Sequence, residues 1–399
     1  MGRIVFIWPV PSSARNAAGT RLLGLETAAA RMGVRTATIV PAKRVPSVNS
    51  VRSGEMELPL YGSSSGFSSG FLPDLLRLVP STIRLAQTLK KLDTACIVAS
   101  TPAPFIPAQS LIASDLLGIP YILDVRDTWE MEATTHRGRI RNMLKGWLEG
   151  ACVKSASGVL CVTSGVRDRV ISKYQIDRRR AKLLTNGADL SVFHPGNVAR
   201  DIDFVFLGSP ARYRIVGSVL ESLAKVRDRV GRTNAWFVGW ADAPSAYETE
   251  KLVRAKNLTE SIRLTPLVPH AETAEVLRRS RLGIVSLSGE EAFRSAIGAK
   301  TYEYIACGVP LACLGPPGRS ELRDFVESGS VGFYSTSPDE FASRAVEFLT
   351  SEATWSKASE NCISSSASFD RRFLSENALR EFILPLVENE TRRGRPAFS

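Results

Sequence analysis

At 399 residues the chain exceeds the size at which one hydrophobic core keeps growing, so two domains are expected. Its 44% hydrophobic and 23% charged content excludes a disordered or fibrous chain, and no run of 18 apolar residues is present to span a membrane. The net charge of +11 lies wholly in the first half: residues 1–195 carry 25 Lys and Arg against 14 Asp and Glu, and residues 196–399 carry 26 against 26.

The chain opens with Arg3–Trp8, too short and too soon interrupted by Pro9 and Pro11 for a signal peptide, and read as a buried first strand. A helix from about Thr20 to Met32 follows, closed by Gly33. Strands are predicted at Thr36–Val40, Cys96–Ser100, Tyr121–Asp124 and Gly158–Thr163, and the Gly/Ser-rich stretch Gly62–Gly70 reads as a flexible loop. Turn residues crowd Asn186–Gly196, the best domain boundary. A second series follows at Phe204–Leu207, Ala235–Val238, Ile262–Thr265, Leu282–Leu287, Leu311–Leu314 and Val331–Tyr334, with an amphipathic helix at Arg371–Glu388 and a basic, frayed tail from Thr391. The expected fold is α/β, two Rossmann-like domains: residues 1–195, residues 196–370, a helix at 371–390 crossing back to the first domain, and a tail at 391–399. Such sheets bind ligands beyond the C-terminal ends of their strands, which places a cleft there.

The six cysteines (Cys96, Cys152, Cys161, Cys307, Cys313, Cys362) show no CxxC spacing and read as reduced core thiols of a cytosolic protein, with neither a disulfide frame nor a metal site.

The most informative segment is Gly298–Pro310. It sets Glu303 at the start of a short helical run that stops at Gly308. A carboxylate so placed can accept from both hydroxyls of a ribose, while the free N–H groups of the helix start suit a phosphate. A helix-surface acid is the plainer alternative. Together with Gly19-Thr20, Thr101–Pro104, Ile119–Trp129, Asn186–Asp189 with Phe193, Phe206–Ser209 and Val268–His270, this segment resembles the retaining family 4 glycosyltransferases of GT-B fold. The likeness is to the bacterial subgroup with a D-x-R-D-x-W segment that builds surface polysaccharides, here Asp124–Trp129, and it runs from about residue 3 to 385.

The resemblance implies a nucleotide-diphosphate sugar held mainly by the second domain, an acceptor held mainly by the first, and no required metal. Cationic side chains and helix N-termini must then offset the pyrophosphate charge. Arg212 stands where the family has its diphosphate arginine, after the turn at Gly208, with Arg214 as the alternative. A solvated loop cation is the competing reading. The family's following lysine is missing, Gly217 and Ser218 standing in that region, and Lys300 is the candidate substitute. The family's two glutamates are separated by seven residues; counting back from Glu303 gives Ser295, so the donor sugar is left to Ser295 and the backbone around Gly298.

Arg126 and Asp127 end a strand and are the candidate catalytic residues, against the alternative that Arg126 merely pairs with Asp124. No histidine base is expected. His136 lies in a basic stretch, and His194 and His270 read as structural. Gly19 and Thr20 are the candidate acceptor contacts, Gly19 offering close backbone approach and N–H groups.

Residues 137–154 interleave Arg and Lys with Met143, Trp147 and other apolar residues, either an amphipathic helix docked on its own core or one lying on an anionic membrane. The expected protein is a cytoplasmic, peripheral-membrane enzyme that glycosylates a polyprenyl-linked acceptor in cell-envelope polysaccharide assembly. Transfer to a soluble small molecule and a non-catalytic nucleotide-sugar binder are the alternatives. An epimerase is disfavoured by the three histidines, and nucleic-acid binding by the absence of an aromatic-interleaved motif.

Overall fold

Strands with no polar face need helices on both sides, and the chain meets that requirement twice. The computed structural model describes residues 2–14, 16–41, 55–58, 71–101, 105–126, 139–208, 214–241 and 246–392. They form two compact units, one of residues 1–185 with 372–399 and one of residues 186–371.

The first unit holds β1 (Arg3–Ile7), β2 (Thr36–Pro41), β3 (Glu55–Leu58), β4 (Thr94–Ser100), β5 (Tyr121–Val125), β6 (Gly158–Cys161) and β7 (Ala181–Leu183). They make one parallel sheet in the order β3-β2-β1-β4-β5-β6-β7. The pleat divides each strand between two cores. Val5, Ile7, Ile97, Leu123 and Val159 face the layer of helices Phe71–Lys91, Phe105–Leu117, Arg139–Ser155 and Ser164–Tyr174. Ile4, Phe6, Val98, Ile122 and Leu160 face helix Ala17–Arg31 and the C-terminal segment. The edge strands β3 and β7 escaped the sequence pattern because β3 alternates with acids and β7 has three residues after an arginine run.

The C-terminal segment runs as helix Arg371–Ala378, a π turn at Leu379–Ile383 and helix Leu384–Arg392. Its Leu379, Phe382, Ile383 and Val387 are buried in the first unit. Gly158 permits this docking: a Cβ there would lie 2.6 Å from Leu386 Cδ1 and 2.7 Å from Phe382 Cζ. Gly158→Val is therefore expected to undock the segment, read as faster hydrogen exchange across residues 379–392, and unchanged exchange there would contradict the packing.

The second unit holds β8 (Ile202–Leu207), β9 (Ala235–Val238), β10 (Ile262–Thr265), β11 (Ser280–Ser286), β12 (Leu311–Leu314) and β13 (Gly332–Ser335), parallel in the order β10-β9-β8-β11-β12-β13. Residues 186–195, placed in the first domain by composition, group with this unit instead. Ala188 and Phe193 are fully buried in its core, and the chain entering at Ala188 is bonded to the chain leaving at Phe369 and Arg371, through Ala188 N to Phe369 O (3.0 Å) and Arg371 N to Ala188 O (2.9 Å).

Candidate active site at the strand ends

In both sheets the first and fourth strands of the unit lie side by side, so strand order reverses at β1/β4 and at β8/β11. The C-terminal ends of such a pair splay apart and leave a crevice.

In the second unit β8 and β11 stay paired from Ile202↔Ser280 to Val205↔Gly283 and then separate. Tyr304 fills the gap. Its hydroxyl, fully surrounded by protein, accepts from Leu207 N (2.8 Å), and its ring lies where a Cβ on Gly283 would stand, 2.7 Å away. Burial raises the Tyr304 pKa above the ordinary phenol value. Arg214 crosses the same strand end. Its Nη1 donates to Leu207 O (3.0 Å), its backbone O accepts from Ser286 Oγ (2.5 Å), and its guanidinium lies 5.4 Å from the Phe206 ring centroid. Gly208 has φ +113°, and a Cβ there would meet Arg214 Nη2 at 2.6 Å. Glycine is required twice over, by its backbone and by the arginine it makes room for. Arg212 lies outside the described residues.

Helix Ala299–Ala306 begins earlier than expected, so Glu303 is in its second turn rather than at its start. Gly298 is the exposed N-cap and supplies no side-chain cap; Thr301 N donates to Gly298 O (3.0 Å), and the N–H groups ahead of it at the helix start receive no side-chain cap. Glu303 is 2% exposed. Lys300 Nζ lies 3.2 Å from its Oε2, yet no hydrogen-bond donor among the described residues is aligned with that oxygen. Arg371 is close enough to interact electrostatically with Glu303, and it donates from Nη2 to Gly187 O (2.8 Å). Burial lowers the Arg371 pKa, and Glu303, Asp189 and Asp370 act to raise it. Ser295 closes a 3-10 turn, Glu291–Ser295, half-buried ahead of Gly298. The helix thus gathers Gly298, Lys300 and Glu303 on one short element.

In the first unit Asp124, at the end of β5, has no exposed surface, and its partner is Arg21 rather than Arg126. Arg21 Nη2 stands 2.6 Å from Asp124 Oδ1, and its Nε lies 3.1 Å from both carboxylate oxygens. Arg21 Nη1 donates to Leu184 O (2.8 Å), and Ser100 Oγ donates to Asp124 Oδ2 (3.0 Å). Arg21 was missed from sequence. Its signal is a lone arginine on the apolar stripe of Leu22, Leu25 and Ala28, answering a lone acid in the apolar strand β5.

Arg126 is half-buried, its N–H donating to Thr101 Oγ1 (2.9 Å) and its Nη1 lying 3.5 Å from Thr101 O. Asp127 and His136 lie outside the described residues, as do Gly62–Gly70, Arg137 and the tail from 393.

Gly19 departs from the expected role. The helix starts at Ala17 under the Asn16 cap, whose Oδ1 accepts from both Ala18 N and Gly19 N at 3.0 Å. That N–H is therefore engaged within the chain. A Cβ at Gly19 would stand 2.3 Å from Ala14 O, so chain packing accounts for the glycine. Thr20 Oγ1 donates back to Asn16 O at 3.1 Å.

His194 Nδ1 lies 2.9 Å from Pro195 O, and the His270 ring packs 5.6 Å from Phe193. All six cysteines are buried free thiols; burial pushes Cys152, Cys161 and Cys307 up to about 12. Among the described residues no three His, Cys, Asp or Glu are grouped as a metal site needs.

Residues 18–192 match the family described as Glycosyltransferase Family 4, and residues 201–351 match the family described as Glycosyl transferases group 1. The chain is of glycosyltransferase type, with a GT-B fold. It is 24% identical over 247 residues to the alpha-D-kanosaminyltransferase of Streptomyces kanamyceticus, a match over 58% of this chain and 61% of that protein. The chain thus spans about three fifths of the length of this curated relative. Two solved structures share the GT-B fold at 14% identity. Sucrose-phosphate synthase from Thermosynechococcus elongatus has a TM-score of 0.78, over 97% of this chain and 100% of that one. Anabaena Alr3699/HepE, solved with UDP and glucose, has a TM-score of 0.72, over 96% and 100%.

Proposed function

We propose that this GT-B protein transfers a hexosyl group from a nucleotide-diphosphate sugar to an acceptor hydroxyl with retention of anomeric configuration, without a metal. The observation that carries the reading is Glu303, a carboxylate 2% exposed whose Oε2 has no aligned hydrogen-bond donor, on a helix whose N-terminus has no side-chain cap. A ribose diol supplies a donor to Glu303 Oε2, whose companion Oε1 already accepts from Lys300 Nζ (3.5 Å), and the uncapped helix start at Gly298 suits the diphosphate. Arg214, Lys300 and Arg212 supply the positive charge that stabilises the departing diphosphate. In the retaining step the acceptor oxygen bonds to the anomeric carbon on the face from which the diphosphate leaves. The C–O bond to the diphosphate breaks, and a phosphate oxygen takes the acceptor proton. Arg126 and Asp127 orient the acceptor, while Ser295 takes the sugar side left without a second glutamate. UDP or GDP at about 100 times its Kd is expected to stabilise the protein by about 2.7 kcal/mol. No thermal shift with any nucleoside diphosphate would sink the reading. Stabilisation with no turnover of any donor would favour the non-catalytic binder.

The acceptor we propose is lipid-linked, in cell-envelope polysaccharide assembly, met at the inner face of the membrane. Three neighbouring helices of the first unit support this. Val79 and Ile83, Ile112 and Leu116, and Met143 and Trp147 are exposed on helices Phe71–Lys91, Phe105–Leu117 and Arg139–Ser155, Trp147 by 71%. The three helices carry eight Lys and Arg against three acids, one of which, Glu149, is buried. Exposed apolar side chains on helices with an excess of Lys and Arg over acids suit an anionic bilayer surface. No helix among the described residues is long and apolar enough to cross a membrane. Met143→Glu/Trp147→Glu is expected to abolish pelleting with phosphatidylglycerol vesicles while leaving nucleoside diphosphate stabilisation unchanged. Equal pelleting of wild type and variant would return the acceptor to the soluble small molecules.

A further inference from the structure

Asp124 opens the D-x-R-D-x-W segment, yet it has no exposed surface and so cannot touch a substrate. A chain of contacts runs from it to Arg126, assigned above to the acceptor. Arg21 grips the Asp124 carboxylate through Nε and Nη2 and holds Leu184 O with Nη1. Ser100 Oγ donates to the same carboxylate (3.0 Å), and Thr101 N donates to the Asp124 backbone O (3.0 Å). Thr101 Oγ1 in turn accepts from Arg126 N (2.9 Å). Four separate pieces of chain meet at the Arg21–Asp124 pair: helix Ala17–Arg31, the end of β4 through Ser100, the end of β5, and Leu184 after β7, held by Arg21 Nη1.

We infer that Arg21 and Asp124 are positioning residues, a buried clamp that fixes the ends of β4 and β5 and thereby the placement of Arg126. The planar fork of arginine is what allows one side chain to serve a carboxylate and a carbonyl on different elements; a lysine keeps the charge but not the two directions. The kinetic part of this inference rests on the transfer reading, and its structural part does not.

The test compares the full-length wild type with Arg21→Lys, which keeps the buried charge pair, and with Asp124→Asn. Hydrogen exchange at the amides of Thr101 and Arg126 is expected to quicken by tenfold or more in Arg21→Lys, with peptides of residues 186–371 unchanged. Turnover of the nucleotide sugar is expected to fall by tenfold or more in kcat, with donor KM within twofold, because the donor is assigned to the other unit. Asp124→Asn is expected to show the same split. A general loss of folding would instead quicken exchange throughout and lower the amount of active enzyme without a residue-specific pattern. Unchanged exchange at Thr101 and Arg126 in Arg21→Lys overturns the clamp, and quickened exchange with wild-type kcat overturns its link to Arg126. A wild type without turnover removes the transfer reading alone, since the exchange comparison still decides the clamp.

Discussion

Glu303→Gln is expected to weaken nucleoside diphosphate binding by roughly 10- to 100-fold, because a hydrogen bond to a charged acceptor contributes about 1.5–3 kcal/mol and the neutral amide also presents a donor where a diol hydroxyl must donate. Stability without ligand should change little. Burial of the carboxylate already opposes its pairing with Lys300, which is 29% exposed, so losing the charge removes a cost and a gain together. Titration of the variant with UDP and GDP, followed by thermal shift or calorimetry, checks both halves. Wild-type affinity in a folded variant would return Glu303 to a buried structural acid held by Lys300 and Arg371.

The largest expected stability effect is at the other buried charge. Arg21→Met leaves the Asp124 carboxylate with no exposed surface and only the Ser100 hydroxyl and the backbone around it. Removing one partner of a buried ion pair costs about 3–5 kcal/mol, which for a unit of this size lowers its melting temperature by roughly 6–20 °C. The double variant Arg21→Met/Asp124→Leu should recover most of that loss, because no uncompensated charge then remains. Thermal and urea melts of the three proteins measure the effect. A single variant within about 0.5 kcal/mol of wild type would mean the pair is solvated, contrary to the geometry.

What was legible in the sequence was what burial dictates. The strands at Arg3–Ile7, Ile262–Thr265 and Leu311–Leu314 are mostly apolar or β-branched runs, and parallel sheets follow once helices alternate with them, though their strand order does not. The helix of Glu303 is legible because Gly308 and Pro310 frame its end, and its start is hidden because Gly298 caps it without a side chain. Arg21 and Tyr304 were not legible. Each acts over a separation in sequence, Arg21 on Asp124 and Tyr304 on Leu207, and only the pairing of strands brings them together. Gly19 shows the opposite error: a glycine that resembled a ligand contact makes room for the backbone at Ala14 and Pro11. The break in pattern near Asn186 was visible, but composition could not tell that Ala188 would bond to Phe369 and draw residues 186–195 into the second unit.

On the proposed function, Glu303 and its helix hold a nucleotide-diphosphate sugar for transfer. Mass spectrometry of the purified protein incubated with a panel of nucleotide sugars tests it most directly. Slow release of free sugar and nucleoside diphosphate from one donor, with the released sugar initially in the donor's anomeric form and the activity lost in Glu303→Gln, is the predicted result. Release from no donor, together with no thermal shift by any nucleoside diphosphate, would contradict it.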